Sequence, residues 1–389
     1  MTFLLTILIF ALIITVLVSI HEFGHFAAAK LSGVAVQEFA IGFGPTIFKK
    51  HYKGTDYKFN IFPLGGYVQL EGETDAANPN AFRNVRLRVK AFVLLAGIVM
   101  NLILAIFLLQ IYLSNNNYRF AIPSLVDYQF TNTQFQQKYY PLIVSFVDPE
   151  GPSVGKFEEN EAIVAVNNVE FSSMAEFLQI LKDNQNQEVD FKLIDFQTFE
   201  ISKRNITLGA ADENGSILKV GLVPYDSQSG KKTYFLKYNE GLGAGVFMTY
   251  DAFIYQFKAL GGIFSNAFST GDYKEVSNSV GGLPAIGNQV GQLVEFQAYD
   301  VLIPLTALFS VNLAMFNILP FPALDGGQLL FAVIEKIRRK KFSDQFLNRI
   351  NFGGFVFLMS IGLLVTLKDI IQLNWLGNIV EVIKSVLGR

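Results

Sequence analysis

The chain has no cysteine among its 389 residues. Disulfide bonds, thiolate nucleophiles and cysteine metal ligands are therefore excluded, and a metal ion must be held by histidine, carboxylate or main-chain groups. Charged residues are also scarce, at 16% against about 25% in an ordinary soluble protein. Because 51% of the residues are hydrophobic and the mean hydropathy is +0.35, the composition predicts a membrane protein that also has a soluble part.

An excess of either charge is missing as well. The 31 lysines and arginines nearly balance the 33 aspartates and glutamates, which leaves a formal net charge of -2. Nucleic-acid-binding proteins usually carry a basic surface, so nothing in the composition indicates a nucleic-acid partner.

Histidine is rare, and two of the three histidines are four residues apart. His21 and His25 enclose Glu22 at the end of the first hydrophobic run. Residues i and i+4 share one face of a helix, so the two imidazoles can bind one zinc ion, with Glu22 beside them as a general base. A chance pair of polar residues is the alternative interpretation. We favour the metal site, because ionisable groups within a membrane span are costly unless they have a function.

Four hydrophobic stretches are long enough to cross a bilayer, and they cover residues 3–28, 91–113, about 299–319 and 351–372. Lysine and arginine are concentrated between the first two stretches and directly after the third. The positive-inside rule places these basic segments in the cytoplasm, which puts the metal motif toward the cytoplasmic half of the membrane. On this topology, residues 240–268 lie on the membrane surface instead of crossing it, and residues 373–389 form a short tail outside.

A catalytic zinc site usually has three protein ligands, so one more is needed. His51 lies in a basic stretch and is a poor candidate. Asp325 follows the third span, at the same predicted depth as the histidines. Asp-Gly-Gly after a helix is in isolation more often a simple turn, and we expect Gly326 and Gly327 to let the chain turn sharply there. The shared depth nevertheless favours Asp325 as the third ligand.

The loop after the first span contains a predicted hairpin. Residues 57–62 alternate like a strand, and residues 63–70 indicate a turn and a return strand. One interpretation is a plain surface hairpin. The other is a hairpin near the metal, whose free edge at Gly65 and Gly66 pairs with an extended substrate.

The second and third predicted spans contain three asparagines. Asn312 and Asn317 are candidates for holding the substrate backbone or the oxyanion, with helix packing as the alternative. Asn101 is a more ordinary position, since a single asparagine in a span more often makes a helix–helix hydrogen bond.

The predicted fold is a polytopic α-helical membrane protein with four transmembrane helices, a membrane-associated β-hairpin and one extracytoplasmic β-rich domain. The segments are residues 1–113 with the first two spans, 114–226 as the β-rich domain, 227–298 as a linker with a membrane-surface helix, and 299–389 with the last two spans. Strands are expected at 142–147, 162–166, 189–194, 205–208 and 218–223, with a short helix at 174–181.

Two distant motifs, His-Glu-Phe-Gly-His at residues 21–25 and Asn-x-x-Pro-x-Pro-x-Leu-Asp-Gly at residues 317–326, resemble the site-2 protease family of intramembrane zinc metalloproteases. The likeness is closest to the bacterial regulator of sigma-E protease branch and covers nearly the whole chain. The second span departs from the family pattern, because residues 97–101 lack the proline that usually follows the glycine.

The resemblance implies one zinc ion per chain and residence in the cell membrane. It implies substrates that are single-pass membrane proteins, such as anti-sigma factors, together with leftover signal peptides. It also implies that residues 114–226 form a PDZ-like domain that binds peptide or protein ends. Two rival functions remain at this point: a catalytically silent PDZ-containing membrane scaffold, and a metal transporter.

Overall fold

The computed structural model describes residues 2–72, 81–147, 156–157, 161–195, 198–208, 220–224, 232–273, 276–277, 280–295 and 297–372. The chain divides into two compact units, one formed by Met1–Leu109 with Ala252–Arg389 and the other by Gln110–Asp251. The predicted tail at residues 373–389 lies outside the described residues.

The helices are α1 (Thr2–Leu31), α2 (Leu87–Asn115), α3 (Met174–Asp183), α4 (Ala244–Thr270), α5 (Leu283–Glu295), α6 (Leu302–Ile318), α7 (Asp325–Arg338) and α8 (Asp344–Gln372). The strands are β1 (Val36–Tyr52), β2 (Thr55–Leu70), β3 (Arg119–Pro123), β4 (Thr133–Tyr139), β5 (Leu142–Val147), β6 (Glu161–Val166), β7 (Val169–Glu170), β8 (Glu188–Asp195), β9 (Ile201–Thr207), β10 (Val220–Pro224) and β11 (Thr233–Tyr238).

Four helices among the described residues are long and apolar enough to cross a membrane: α1, α2, α6 with the turn before it, and α8. They are the four predicted spans, each extended or shortened by a few residues. Within the most apolar 18 residues of each helix, only 6% to 39% of the residues are buried in the protein. Since most of this apolar surface is left uncovered, lipid must surround it, and the protein is embedded in a membrane. The helix α4 is not among the candidate spans.

The hairpin after α1 differs from the predicted one. The chain reverses at Lys53 and Gly54, where φ is +46° and +73°. Residues 38–41 of β1 pair with two parts of β2, in parallel with residues 56–59 and antiparallel with residues 66–69. Residues 56–59 and 66–69 therefore run in opposite directions on either side of residues 38–41, and the chain reverses between them, as the turn and return strand predicted at residues 63–70 require. The difference from a simple hairpin is that residues 38–41 lie between the two predicted strands, so these strands pair with β1 and not with each other.

The second unit is rich in β-structure. Its larger sheet has the strand order β10-β5-β6-β8-β9, with β7 paired to β6, and α3 contributes the buried Phe177 and Leu181 to the core beside it. The predicted strands and the short helix occur here with boundaries shifted by a few residues. A smaller sheet, β3-β11-β4, had not been predicted. It extends the unit beyond residue 226, because β11 pairs with strands that precede the larger sheet.

A buried carboxylate connects the smaller sheet to the start of α4. Asp251 is fully buried and accepts hydrogen bonds from the Tyr238 hydroxyl at 3.1 Å, the Tyr128 hydroxyl at 3.1 Å and the Thr131 main-chain N–H at 2.9 Å. A charge removed from water is tolerated when hydrogen bonds satisfy it in this way. The polar residue that interrupts the apolar pattern of α4 is thus an attachment point for the sheet.

Candidate metal centre

The two histidines of α1 lie together inside the first unit. His21 and His25 are 6% and 7% exposed, and their ring centroids are 4.7 Å apart. Their Nε2 atoms are 3.1 Å apart. Nδ1 of His25 lies 2.9 Å from the main-chain oxygen of Val93 on α2. The helical period therefore places both Nε2 atoms at one point, as the sequence predicted.

Glycines allow α1 and α2 to approach closely at this point. A Cβ atom on Gly24 would lie 2.4 Å from the main-chain oxygen of Ala96. A Cβ atom on Gly97 would lie 2.5 Å from Nε2 of His25 and 2.8 Å from Cε1 of His21. Gly97 was noted in the sequence only as a departure from a family pattern. Its contact with both imidazoles shows that it forms the floor of the site.

Asp325 is the first residue of α7, and its Oδ2 atom lies 3.2 Å from Nε2 of His21 and 3.3 Å from Nε2 of His25. The expected role of the next two glycines was wrong. Gly326 and Gly327 are helical, and the sharp turn falls instead at Ala323, where φ is +74°. A side chain on Gly326 would meet the oxygen of Ile318 at 2.3 Å, so these glycines permit α7 to pack against the end of α6.

The three donor atoms fit a metal ion. His21, His25 and Asp325 are the described residues whose ligand atoms all lie within 4.8 Å of one another. Bonds of about 2.0–2.1 Å to a tetrahedral zinc ion separate the donor atoms by about 3.3 Å, which matches the observed 3.1 Å, 3.2 Å and 3.3 Å. Oδ2 of Asp325 is buried and makes no well-formed hydrogen bond with any described residue. A buried carboxylate oxygen without a hydrogen bond is costly, and a cation between the three atoms would remove that cost.

Glu22 lies next to this cluster and is held by the hairpin. Its Oε2 atom accepts a hydrogen bond from the main-chain N–H of Val68 at 3.0 Å. Sequence reasoning had not foreseen this contact, because it depends on a main-chain group that any residue would provide. The C-terminal part of β2, around Val68, therefore contacts α1 next to the candidate metal ligands.

The glycines of the predicted substrate edge are buried. Gly65 has φ of +125°, and a Cβ atom there would lie 3.4 Å from Cγ1 of Val18 on α1. A Cβ atom on Gly66 would lie 2.6 Å from the oxygen of Ala40. The backbone conformation at Gly65 and close packing at Gly66 thus already account for glycine at these positions.

The asparagines of the spans lie in different surroundings. Asn317 donates to the oxygen of Leu313 in its own helix at 3.0 Å, and Asn312 is partly buried. Asn101 is fully buried and its Nδ2 atom lies 3.1 Å from Nδ1 of His21. Asn101, which the sequence indicated only as an ordinary helix-packing position, is therefore the asparagine that contacts the candidate metal ligand His21. His51 is exposed and pairs with Asp56 at 2.7 Å, away from the cluster.

Comparisons with known proteins identify relatives over nearly the whole chain. The family model described as Peptidase family M50 matches residues 9–361. A protein of Clostridium perfringens described as a zinc metalloprotease is 29% identical, over 94% of this chain and 98% of its own length. The protein eep of Enterococcus faecalis, described as a protease, is 27% identical over 94% of this chain and 98% of its own. A chloroplast membrane metalloprotease of Arabidopsis thaliana is 27% identical over 94% of this chain and 78% of its own.

A PDZ domain from Listeria monocytogenes is 20% identical and covers 22% of this chain and 90% of its own, with a TM-score of 0.20. A TM-score this low carries no argument about the fold of the second unit.

The predicted resemblance is confirmed by the family match. The relatives named above match almost all of this chain, and its first motif lies on one of the four described helices that are long and apolar enough to cross a membrane. The chain belongs to peptidase family M50 and is a membrane-embedded zinc metalloprotease of the site-2 type.

Proposed function

We propose that this protease cleaves a peptide bond within or next to the transmembrane segment of single-pass membrane proteins, with His21, His25 and Asp325 as the ligands of one zinc ion and Glu22 as the catalytic base. The observation that carries the proposal is the spacing of 3.1–3.3 Å between two imidazole nitrogens and one carboxylate oxygen. Three protein ligands are the usual number in catalytic zinc sites.

Zinc in such a site supplies a Lewis acid that activates water and polarises the scissile carbonyl. Glu22 accepts the proton of the attacking water and delivers it to the leaving nitrogen. The Val68 N–H orients one oxygen of Glu22, since that hydrogen bond joins the carboxylate to the strand at 3.0 Å. The candidate base therefore has one defined orientation before the substrate arrives.

The hairpin supports a role in holding the substrate. A transmembrane helix satisfies all its main-chain groups internally, so the scissile segment must unwind before it can be attacked. An extended segment can pair with the outer edge of β2 near Gly65 and Gly66. Asn312 and Asn317, on the helix that leads to Asp325, are candidates for holding its main chain or the oxyanion.

The charge distribution supports an orientation in the plasma membrane with the metal centre toward the cytoplasmic half and the β-rich unit outside. In the proposed arrangement, that unit acts as a PDZ-like domain that binds peptide or protein ends. Anti-sigma factors and signal-peptide remnants are the proposed substrate classes, by analogy with the family that the two motifs resemble.

The test uses the full chain purified in detergent, zinc-loaded, with a model single-pass protein as substrate. The parent protein should cleave it, and Glu22→Gln should bind as much zinc while cleaving about 10²–10⁴ times more slowly. His25→Ala should lose the zinc ion.

Equal cleavage by the parent protein and Glu22→Gln, or no cleavage by zinc-loaded parent protein, would refute the proposed reaction. Stoichiometric zinc without cleavage would favour the scaffold, and zinc flux in proteoliposomes would favour the transporter.

A further inference from the structure

Asn101 lies on α2 and contacts both Ser310 of α6 and the candidate metal ligand His21 of α1. It is 0% exposed, and its main-chain oxygen accepts a hydrogen bond from the Ser310 hydroxyl of α6 at 2.8 Å. Its side-chain Nδ2 atom lies 3.1 Å from Nδ1 of His21. The amide therefore faces the ring nitrogen of His21 that does not point at Asp325.

The nitrogen of a metal-bound histidine that faces away from the metal normally donates its N–H to an acceptor, and this bond leaves the lone pair on the metal-binding nitrogen. His25 has such an acceptor, because its Nδ1 lies 2.9 Å from the main-chain oxygen of Val93. A carbonyl oxygen can only accept, so the proton of His25 stays on Nδ1 and Nε2 is free to bind a metal ion.

His21 faces an amide, which can present either an acceptor or a donor. With Nδ2 toward the ring, Nδ1 of His21 must accept, and the proton of the neutral ring lies on Nε2, where it blocks metal binding. With Oδ1 toward the ring, Nδ1–H donates and Nε2 is free. In the first orientation Oδ1 of Asn101 is buried, and no hydrogen-bond partner for it occurs among the described residues. Turning the amide over gives this oxygen a donor.

We propose that Asn101 is a positioning residue that sets the metal-binding tautomer of His21, with its Oδ1 atom accepting the Nδ1–H of that ring when zinc is bound. The inference rests on the proposed function, since it takes His21 as a ligand through Nε2. It gives α2 a part in metal binding that acts through His21.

The first test measures zinc affinity of the full chain in detergent by competition with a chromophoric chelator. Asn101→Leu, which has no acceptor, should bind zinc about 10- to 100-fold more weakly than the parent protein. Asn101→Asp, which keeps an acceptor oxygen at the same distance, should recover most of this loss. Cobalt substitution gives a second readout, because the visible spectrum of cobalt reports the ligand geometry.

Ser310→Ala is the matched control. It removes the hydrogen bond to the main chain of Asn101 and leaves the amide in place, so a loss caused by helix packing alone would occur here too. We expect its zinc affinity to equal that of the parent protein. Equal affinity of Asn101→Leu and the parent, or equal weakness of Asn101→Leu and Asn101→Asp, overturns the inference.

A second measurement does not depend on whether Asn101→Leu folds. The chain has three histidines, so His51→Gln leaves only His21 and His25 in a spectrum of ¹⁵N-labelled imidazoles. In the zinc-loaded protein, His21 should show a protonated Nδ1 whose hydrogen exchanges slowly with water. Zinc bound through Nδ1 of His21, or rapid exchange of that hydrogen, overturns the inference. A parent protein that binds no zinc refutes the proposed function instead.

Discussion

The carboxylate of Glu22 accepts a hydrogen bond from the main-chain N–H of Val68 at 3.0 Å. The helix that carries the proposed metal ligands His21 and His25 and the strand that is proposed to receive the substrate are therefore joined at the candidate catalytic base. We therefore expect a displacement of the strand at Val68 to alter the orientation of Glu22 without moving the metal ligands.

Removal of this N–H should impair cleavage selectively. Val68→Pro leaves the strand without the donor, and proline is tolerated where the N–H does not take part in a sheet ladder. Loss of orientation of Glu22 should lower kcat by about 10- to 100-fold, with zinc content unchanged. Val68→Ala is the control, because it removes the side chain and keeps the N–H. If Val68→Pro cleaves as fast as Val68→Ala, the hydrogen bond has no part in positioning Glu22.

A single methyl group at Gly97 should disrupt the metal centre. The Cβ atom of Gly97→Ala would lie 2.5 Å from Nε2 of His25, so the imidazoles must move. We expect zinc affinity to fall by at least about tenfold, since small displacements of ligands weaken binding strongly. Gly353→Ala is the matched control. Gly353 is a helical glycine of α8, and apart from the backbone of its own helix no described heavy atom lies within 4 Å of the Cβ atom that alanine would add. Similar zinc affinity in the two variants would contradict the close approach of α2.

The network around Asp251 should make the second unit sensitive to pH. Burial raises the pKa of Asp251 above its ordinary value of 3.8, against the opposing effect of its hydrogen bonds. The folded unit therefore binds a proton more tightly than the unfolded chain, and its stability should fall as pH rises through the interval from 3.8 to the raised pKa. Hydrogen exchange of the β4 and β11 amides between about pH 4 and pH 8 measures this dependence. Asp251→Asn should reduce the slope, and an unchanged slope would show that Asp251 is not responsible.

A related variant tests the hydrogen bonds of this network. Tyr238→Phe removes a buried donor to Asp251 and should destabilise the smaller sheet by about 1–3 kcal/mol. Tyr250→Phe is the control. Tyr250 precedes Asp251 on α4 and is 55% exposed, so this substitution should be close to neutral. Equal effects of the two substitutions would show that the hydroxyl of Tyr238 contributes no stability.

Glu335 should be essential for the stability of the first unit. Its Oε1 atom accepts from Arg83 at 3.2 Å and from the N–H of Phe342 at 2.9 Å, and both charged side chains are 9% exposed. Glu335→Ala removes one partner of the buried guanidinium, which keeps Asp344 at 2.8 Å, and should cost about 1–3 kcal/mol. Thermal unfolding in detergent would show this as a lowered Tm. Lys336→Ala, at the neighbouring exposed position, should leave Tm nearly unchanged, and a similar Tm for both variants would contradict a structural role for the ion pair.

The sequence allowed the spans and two of the proposed zinc ligands to be predicted because local physics decides them. Long apolar runs must form helices in lipid, where each main-chain group needs an internal partner. The helical period alone places His21 and His25 on one face, and the absence of cysteine left few other ligand types. Asp325 could be predicted as the third ligand because the distribution of basic residues placed it at a similar depth in the membrane.

Other features were decided by tertiary contacts. The pairing partners of the two parts of β2 could not be predicted, because residues 38–41 of β1 lie between segments that turn propensities alone would have paired with each other. Gly97, Asn101 and the N–H of Val68 acquire their roles because the packing of α2 and β2 on α1 brings them to the imidazoles and to Glu22. The chain's own sequence thus determined which helix carries the chemistry. Only the packing of distant segments determined which groups orient it, since a main-chain N–H or a missing side chain has no signature in one sequence.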